Sequence, residues 1–295
     1  MRKTFFILLA AYVVLSCSKS SSGPASSSGS FFLPPSPSAN GLILTDLSYG
    51  SHESEKMDLY LPPGRNTSKT PLVILIHGGR WQSGDKQEMT GYLNALRSGL
   101  PDFAFANINY RLAEPVNHKF PAQELSVQSA FNFLWNLSDS FKIAKKFAMI
   151  GESAGGQLAL LHAFKSGRSS LKACIGVGAP SNFEDWYLNP ISSQTREIQE
   201  FVTGGTLSQL PAIYAGANAF NFAGNNSPET LLIHGSSDGV VPLRHATELV
   251  NQLNNFSAPA HLKILEDQSH NLTPDGFAKV YEHIINFLKT PNLFK

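Results

Sequence analysis

The feature that most constrains this chain is a series of short apolar runs that recur between helical patterns. Pro71 is followed by Leu72-Val73-Ile74-Leu75-Ile76; further runs are Phe103 to Ile108, Phe147 to Ile150, Ala173 to Val177, Thr230 to His234 and His261 to Leu265. An uninterrupted apolar run of this length suits a strand covered on both faces, which is the situation of a parallel strand between helices. The intervening stretches Gln87–Ser98, Pro121–Leu137, Gly155–Lys165, Leu243–Asn254 and Gly276–Leu288 carry the helical period. Strand alternating with helix predicts an α/β fold with a mostly parallel central sheet and helices on both faces. Ahead of it, Thr45–Tyr49 and Lys56–Leu61 read as an antiparallel edge pair, ended by Pro62-Pro63-Gly64. Residues 181–228 break the rhythm with turn residues and scattered aromatics. An insertion of that length predicts a cap or one wall of a binding site.

With 295 residues, 42% hydrophobic, 15% charged and a formal net charge of +1, the composition suggests no electrostatic footprint for nucleic acid, and one catalytic domain over 41–295 is expected. Residues 1–17, MRKTFFILLAAYVVLSC, pair a basic start with an apolar run too short to span a bilayer, the pattern of a secretory signal. The ending Val14-Leu15-Ser16-Cys17 resembles the lipobox of bacterial lipoproteins, which implies lipidation of Cys17. Residues 18–40 form a Ser/Gly/Pro-rich tether that suits a spacer. The expectation is an exported protein, lipid-anchored to the bacterial cell envelope and touching the membrane only through that anchor. Cys174, within an apolar run, reads as a buried, inert thiol.

Gly151-Glu152-Ser153-Ala154-Gly155 satisfies G-x-S-x-G between a core strand and a helix, the context in which small residues let the chain turn sharply and expose a serine hydroxyl. A serine hydroxyl is a weak nucleophile at neutral pH and needs a histidine base with an acid to orient it. Asp238 and His270 each follow a predicted strand, in the order Ser, Asp, His. Asp267 is the runner-up acid, and His234 and His245 read as structural. The bland readings are a turn-forming Asp238-Gly239 and a surface His270; three separate strand ends in the right order favour the triad. His77-Gly78-Gly79-Arg80-Trp81 follows the strand Leu72–Ile76, where backbone N–H groups of Gly78 or Gly79, with that of Ala154, would serve as oxyanion donors. No metal motif or phosphate loop is present, so no cofactor and no metal are expected.

HGGRWQSGDK, NYRLAEPVNHKFPAQ, GESAGGQLALL, HGSSDGVVP and DQSH together resemble the hormone-sensitive-lipase-like and feruloyl-esterase-like branch of the α/β-hydrolase fold, which also includes kynurenine formamidase. The resemblance implies Ser153 as nucleophile, His270 as general base, Asp238 as its orienter, Gly78, Gly79 and Ala154 as oxyanion donors, and Arg80 and Trp81 at the substrate. It implies a serine carboxylesterase acting on short-chain or aromatic acyl esters, small or linked to polysaccharide. Three positions depart from the pattern: Arg80 replaces a third glycine, Glu114-Pro115 reverses the usual order, and Ser126 stands where relatives often carry Asp. Two alternatives remain open at this point: amide hydrolysis by a formamidase or peptidase, and a catalytically silent glycan-binding module.

Overall fold

The computed structural model describes residues 40–295; the signal-like segment, the tether and Cys17 lie outside the described residues. Among the described residues, β1 (Leu42–Ser48), β2 (Lys56–Leu61), β3 (Leu72–Ile76), β4 (Ala104–Ile108), β5 (Phe147–Glu152), β6 (Leu171–Val177), β7 (Glu229–Gly235) and β8 (Ala260–Leu265) form one sheet in the order β1-β2-β4-β3-β5-β6-β7-β8. The pairs β1/β2 and β2/β4 are antiparallel, and every other pair is parallel. Every residue of β3 and β4 is buried, as expected for strands covered on both sides. β1 starts three residues earlier than the sequence pattern indicates, because Leu42 to Leu44 pair with Leu59 to Leu61 of the stronger strand beside them.

One face of the sheet packs against α1 (Thr90–Gly99) and α9 (Pro274–Leu288). Val73, Leu75, Phe105, Ile150, Ile175 and Ile233 meet Tyr92, Leu96, Val280 and Ile284 there. On the other face α4 (Ala154–Ser166) lies against β5 and β6 with α2 (Ala122–Asn136) beside it, and α8 (Arg244–Asn255) covers β7 and β8. A short α3 (Ser138–Phe141) follows α2. The insertion, read from sequence as turns, contains helices: α5 (Phe183–Leu188), α6 (Ser193–Thr203) and α7 (Pro211–Ala217). α5 and α7 run six and seven residues, too short to show a helical period or to persist without tertiary packing.

The strand order reverses between β3 and β5: β4 lies on one side of β3 and β5 on the other. In an open α/β sheet such a reversal leaves a crevice at the carboxyl ends of the two strands, where ligands bind. The loop after β3 begins at His77 and the turn after β5 holds Ser153, so the fold delivers both motifs to one place.

Candidate active site

Ser153 occupies the turn between β5 and α4 with φ 51° and ψ −118°, an uncommon conformation for a residue with a side chain and one held in place by its surroundings. Its N–H donates to Val177 O at 2.8 Å. A Cβ on Gly155 would stand 2.2 Å from Ile76 O and 2.3 Å from His77 O, so only glycine lets the first turn of α4 press against the end of β3.

The three candidates meet. Ser153 Oγ lies 3.0 Å from His270 Nε2, and His270 Nδ1 lies 2.8 Å from Asp238 Oδ2. This is the arrangement of a triad in which Nδ1–H donates to the carboxylate and Nε2 accepts from the serine hydroxyl. The Asp238 side chain is 1% exposed and that of His270 17%, so the imidazole reaches the cavity while the carboxylate does not. Burial alone would push the Asp238 carboxyl up, but hydrogen bonds from His234 and His270, the adjacent imidazole and the Val240 N–H together hold it well below the usual carboxylate range. Its second oxygen, Oδ1, accepts from Val240 N at 2.8 Å and Val241 N at 2.9 Å. Asp267, the runner-up acid, is exposed and takes its place in the loop through its own N–H, which donates to Ser236 Oγ at 2.9 Å.

Two residues that the sequence reading left out of the site belong to its surroundings. His234 is buried; its Nε2 donates to Val241 O at 2.9 Å and lies 3.3 Å from Asp238 Oδ2. Gly178, at the end of β6, has φ +55°, and a Cβ there would come within 3.4 Å of the His270 ring and 3.6 Å of Asp238 Oδ2. The glycine closing ACIGVG was its only signal in the sequence. His245 remains structural: buried, with its Nδ1 accepting from Asn182 N at 3.2 Å.

Among the described residues, the N–H groups of Gly78, Gly79 and Ala154 make none of the hydrogen bonds that shape the loop and the helix start, which leaves them available to a ligand. The loop is fixed through its carbonyls instead. Tyr110 OH donates to His77 O at 3.2 Å or Gly78 O at 3.0 Å, and His77 Nδ1 donates to Gly78 O at 2.9 Å while its ring stacks on Tyr110. Burial lowers His77 to about 4, against the opposing pull of its Gly78 bond and Asp85, so it is neutral at pH 7.

Trp81 is 2% exposed. Its Nε1 donates to Gln157 Oε1 at 3.0 Å, Gln157 Nε2 donates to Ala217 O at 2.6 Å, and its ring meets Phe183 edge-on at 5.4 Å. It therefore walls the site and anchors the insertion to the glycine loop. Arg80, with φ 55°, is exposed at the rim. Both border a cavity of about 510 Å³ that opens on Ser153 and His270. Ser126, which stands where relatives often carry Asp, bonds to a carboxylate instead: Ser126 Oγ donates to Glu55 Oε1 at 2.9 Å, and Arg111 Nε sits 3.2 Å from that oxygen. Glu55, just before β2, supplies the charge from another part of the chain.

A family model described as BD-FAE matches residues 57–253. The chain is similar to Esterase LipC of Mycobacterium tuberculosis (strain ATCC 25618 / H37Rv), 25% identical over 222 residues that cover 71% of this chain and 54% of that protein. It is also similar to kynurenine formamidase of Danio rerio, 48% identical over 50 residues, 17% of this chain and 16% of that one. The chain spans about half the length of the first two curated relatives. Among solved structures it is similar to a truncated form of carbohydrate esterase from gut microbiota, with TM-score 0.69 and 20% identity over 85% of this chain and 98% of that one. The esterase Est2 from Thermogutta terrifontis gives TM-score 0.68 and 17% identity over 88% and 95%. These likenesses establish the fold.

Proposed function

The chain belongs to the BD-FAE family, and from that premise we propose that it is a serine carboxylesterase hydrolysing short-chain or aromatic acyl esters, including esters carried on polysaccharide. The observation that carries the proposal is the unbroken hydrogen-bonded line Ser153–His270–Asp238 beside a ready oxyanion loop. Ser153 Oγ attacks the ester carbonyl and its proton passes to His270 Nε2. The carbonyl oxygen, now negative, sits among the N–H groups of Gly78 or Gly79 and Ala154, where a single such donor is worth about 3 kcal/mol. His270 then protonates the leaving alcohol, leaving an acyl group on Ser153. Water, deprotonated by His270, attacks the acyl carbon; the acid leaves and Ser153 regains its proton.

The test is hydrolysis of p-nitrophenyl esters of increasing acyl length by residues 18–295, beside Ser153→Ala. Turnover of the acetate that falls at least about 10³-fold in the variant is expected. Well-folded protein with no turnover on any length would overturn the esterase reading. The short stretch of higher identity to a formamidase supports a second reading, cleavage of an N-formyl group by the same residues, so N-formyl aromatic amines belong in the same assay. A silent glycan-binding role would leave Ser153→Ala indistinguishable from the parent. The proposal includes export and lipidation at Cys17. Labelled fatty acid should enter the full chain and not Cys17→Ala.

A further inference from the structure

The cavity at Ser153 has two unlike walls. On one side Trp81 and Trp186 stand with ring centroids 6.2 Å apart, next to Ile198 and Val240. On the other, Tyr92 of α1 meets Tyr281 of α9 edge-on at 5.1 Å and Phe277 at 6.1 Å, and the carboxyls of Glu88 and Glu152 border the same space. Tyr92 is 1% exposed, yet its hydroxyl has no hydrogen bond of good geometry. It faces the carboxyl of Glu152, close enough for a hydrogen-bonding interaction between the two, and Glu152 is the residue before the nucleophile. Burial, with Glu88 adding to it, pushes the Glu152 carboxyl above its ordinary range, opposed by Tyr92 and by the charge of His270. Among the described residues no lysine or arginine forms an ion pair with Glu88 or Glu152. The proton transfers between Ser153, His270 and Asp238 use none of these groups.

We propose that this wall is a hydroxyl-recognition subsite, in which the Glu152 carboxyl, positioned by the buried Tyr92 hydroxyl behind it, takes up a neutral hydroxyl group of the ester, carried on either its acyl or its alcohol part. An alkyl chain pressed against the wall would leave the Glu152 carboxyl dry with Tyr92 as its one polar neighbour there, at about 1–3 kcal/mol. A carboxylate would face two glutamates. An ammonium group would sit beside His270, which becomes positive in each proton transfer. A neutral hydroxyl both donates and accepts, so it satisfies the Glu152 carboxyl in either protonation state without adding charge. Sites built to bond a hydroxyl reject the analogue that lacks it far more strongly than apolar pockets reject a missing methylene.

The inference rests on the esterase reading, and its test separates the two. Ethyl butanoate is compared with ethyl 3-hydroxybutanoate, and propyl acetate with 2,3-dihydroxypropyl acetate, as kcat/KM ratios in the parent protein, Tyr92→Phe and Glu152→Gln. The hydroxylated member should win by about tenfold or more in one pair, which also tells whether the acyl or the alcohol part carries the group. Both substitutions should pull that ratio toward one, and the ratio cancels any general loss of activity. Ratios near one in both pairs for the parent protein, or a parental ratio retained in both folded variants, overturn the subsite; if neither variant folds, the parent ratio decides. If no plain ester shows turnover dependent on Ser153, the esterase reading falls instead. Calorimetric binding of the same pairs to Ser153→Ala then decides the subsite, equal affinity within each pair overturning it.

Discussion

At the scale of the residue, the Asp238 carboxylate is held more tightly than the His270 imidazole. Asp238 Oδ1 takes two backbone N–H groups, and Oδ2 lies between His270 Nδ1 at 2.8 Å and His234 Nε2 at 3.3 Å. Because His234 also donates to Val241 O, it ties the strand end to the turn that presents the carboxylate. Removing it frees that turn by a fraction of an ångström, and small misplacements of catalytic groups cost up to about 10²-fold in rate. His234→Ala is expected to lower kcat ten- to a hundredfold with KM nearly unchanged, measured under steady state with a short-chain ester. A KM rise with kcat intact would instead mean that the imidazole matters to the cavity and not to Asp238. Ser153, Asp238 and His270 were legible as a candidate group because each follows a strand end. His234 stands at one too, but its role depends on a loop that folds back seven residues later, which no local pattern records.

The insertion is the element that joins the two halves of the site. Trp81 in the glycine loop is tied through Gln157 to Ala217 of α7, and Trp186 of α5 donates from Nε1 to Val240 O in the acid loop at 3.2 Å. Gln157→Leu leaves the Trp81 N–H and the Ala217 carbonyl buried without partners, at about 1–3 kcal/mol each. Thermal unfolding should shift down by roughly 2–4 °C per kcal/mol lost, and kcat should fall as the oxyanion loop loses its anchor. An unchanged melting temperature would show that the bridge is dispensable. The core strands were readable because full burial demands continuous apolar sequence, as in β3 and β4. The helices of the insertion were not, because α5 and α7 are short and owe their form to an aromatic cluster, Phe183 with Trp81, Trp186 and Tyr214, assembled from distant positions.

For the molecule as a whole, buried neutral histidines set the acid limit. Burial, as the main cause, lowers His77 to about 4, His162 to about 4 and His245 to about 3, with Arg168 adding to the effect at His162 and Arg244 at His245. In the unfolded chain these groups titrate near 6.5. Their neutral forms therefore favour the fold fully above that pH, and stability falls as the pH drops from there toward 4, because the unfolded chain binds protons that the folded one refuses. Each histidine steepens the fall by roughly 1.4 kcal/mol per pH unit within that window. Asp238, depressed when folded, weakens the fold only below the ordinary carboxylate range. Melting curves from pH 7 to pH 4 should show the loss beginning near pH 6, and replacing His162 by Gln should soften its slope. A flat profile down to pH 4.5 would contradict the burial of these rings. By itself the sequence determined the layer order, the strands of the parallel core and the serine turn at Ser153, because burial and a sharp strand-to-helix turn impose local patterns that need no partner. Only the tertiary structure decided that Asp238 and not Asp267 faces His270, that His234 and Gly178 surround them, that Glu55 supplies the carboxylate beside Ser126, and that one wall of the cavity is polar. Each of these is a meeting of side chains from separate elements, fixed by the order of the strands in the sheet and by how loops and helices pack on it, and not by the order of residues along any one segment.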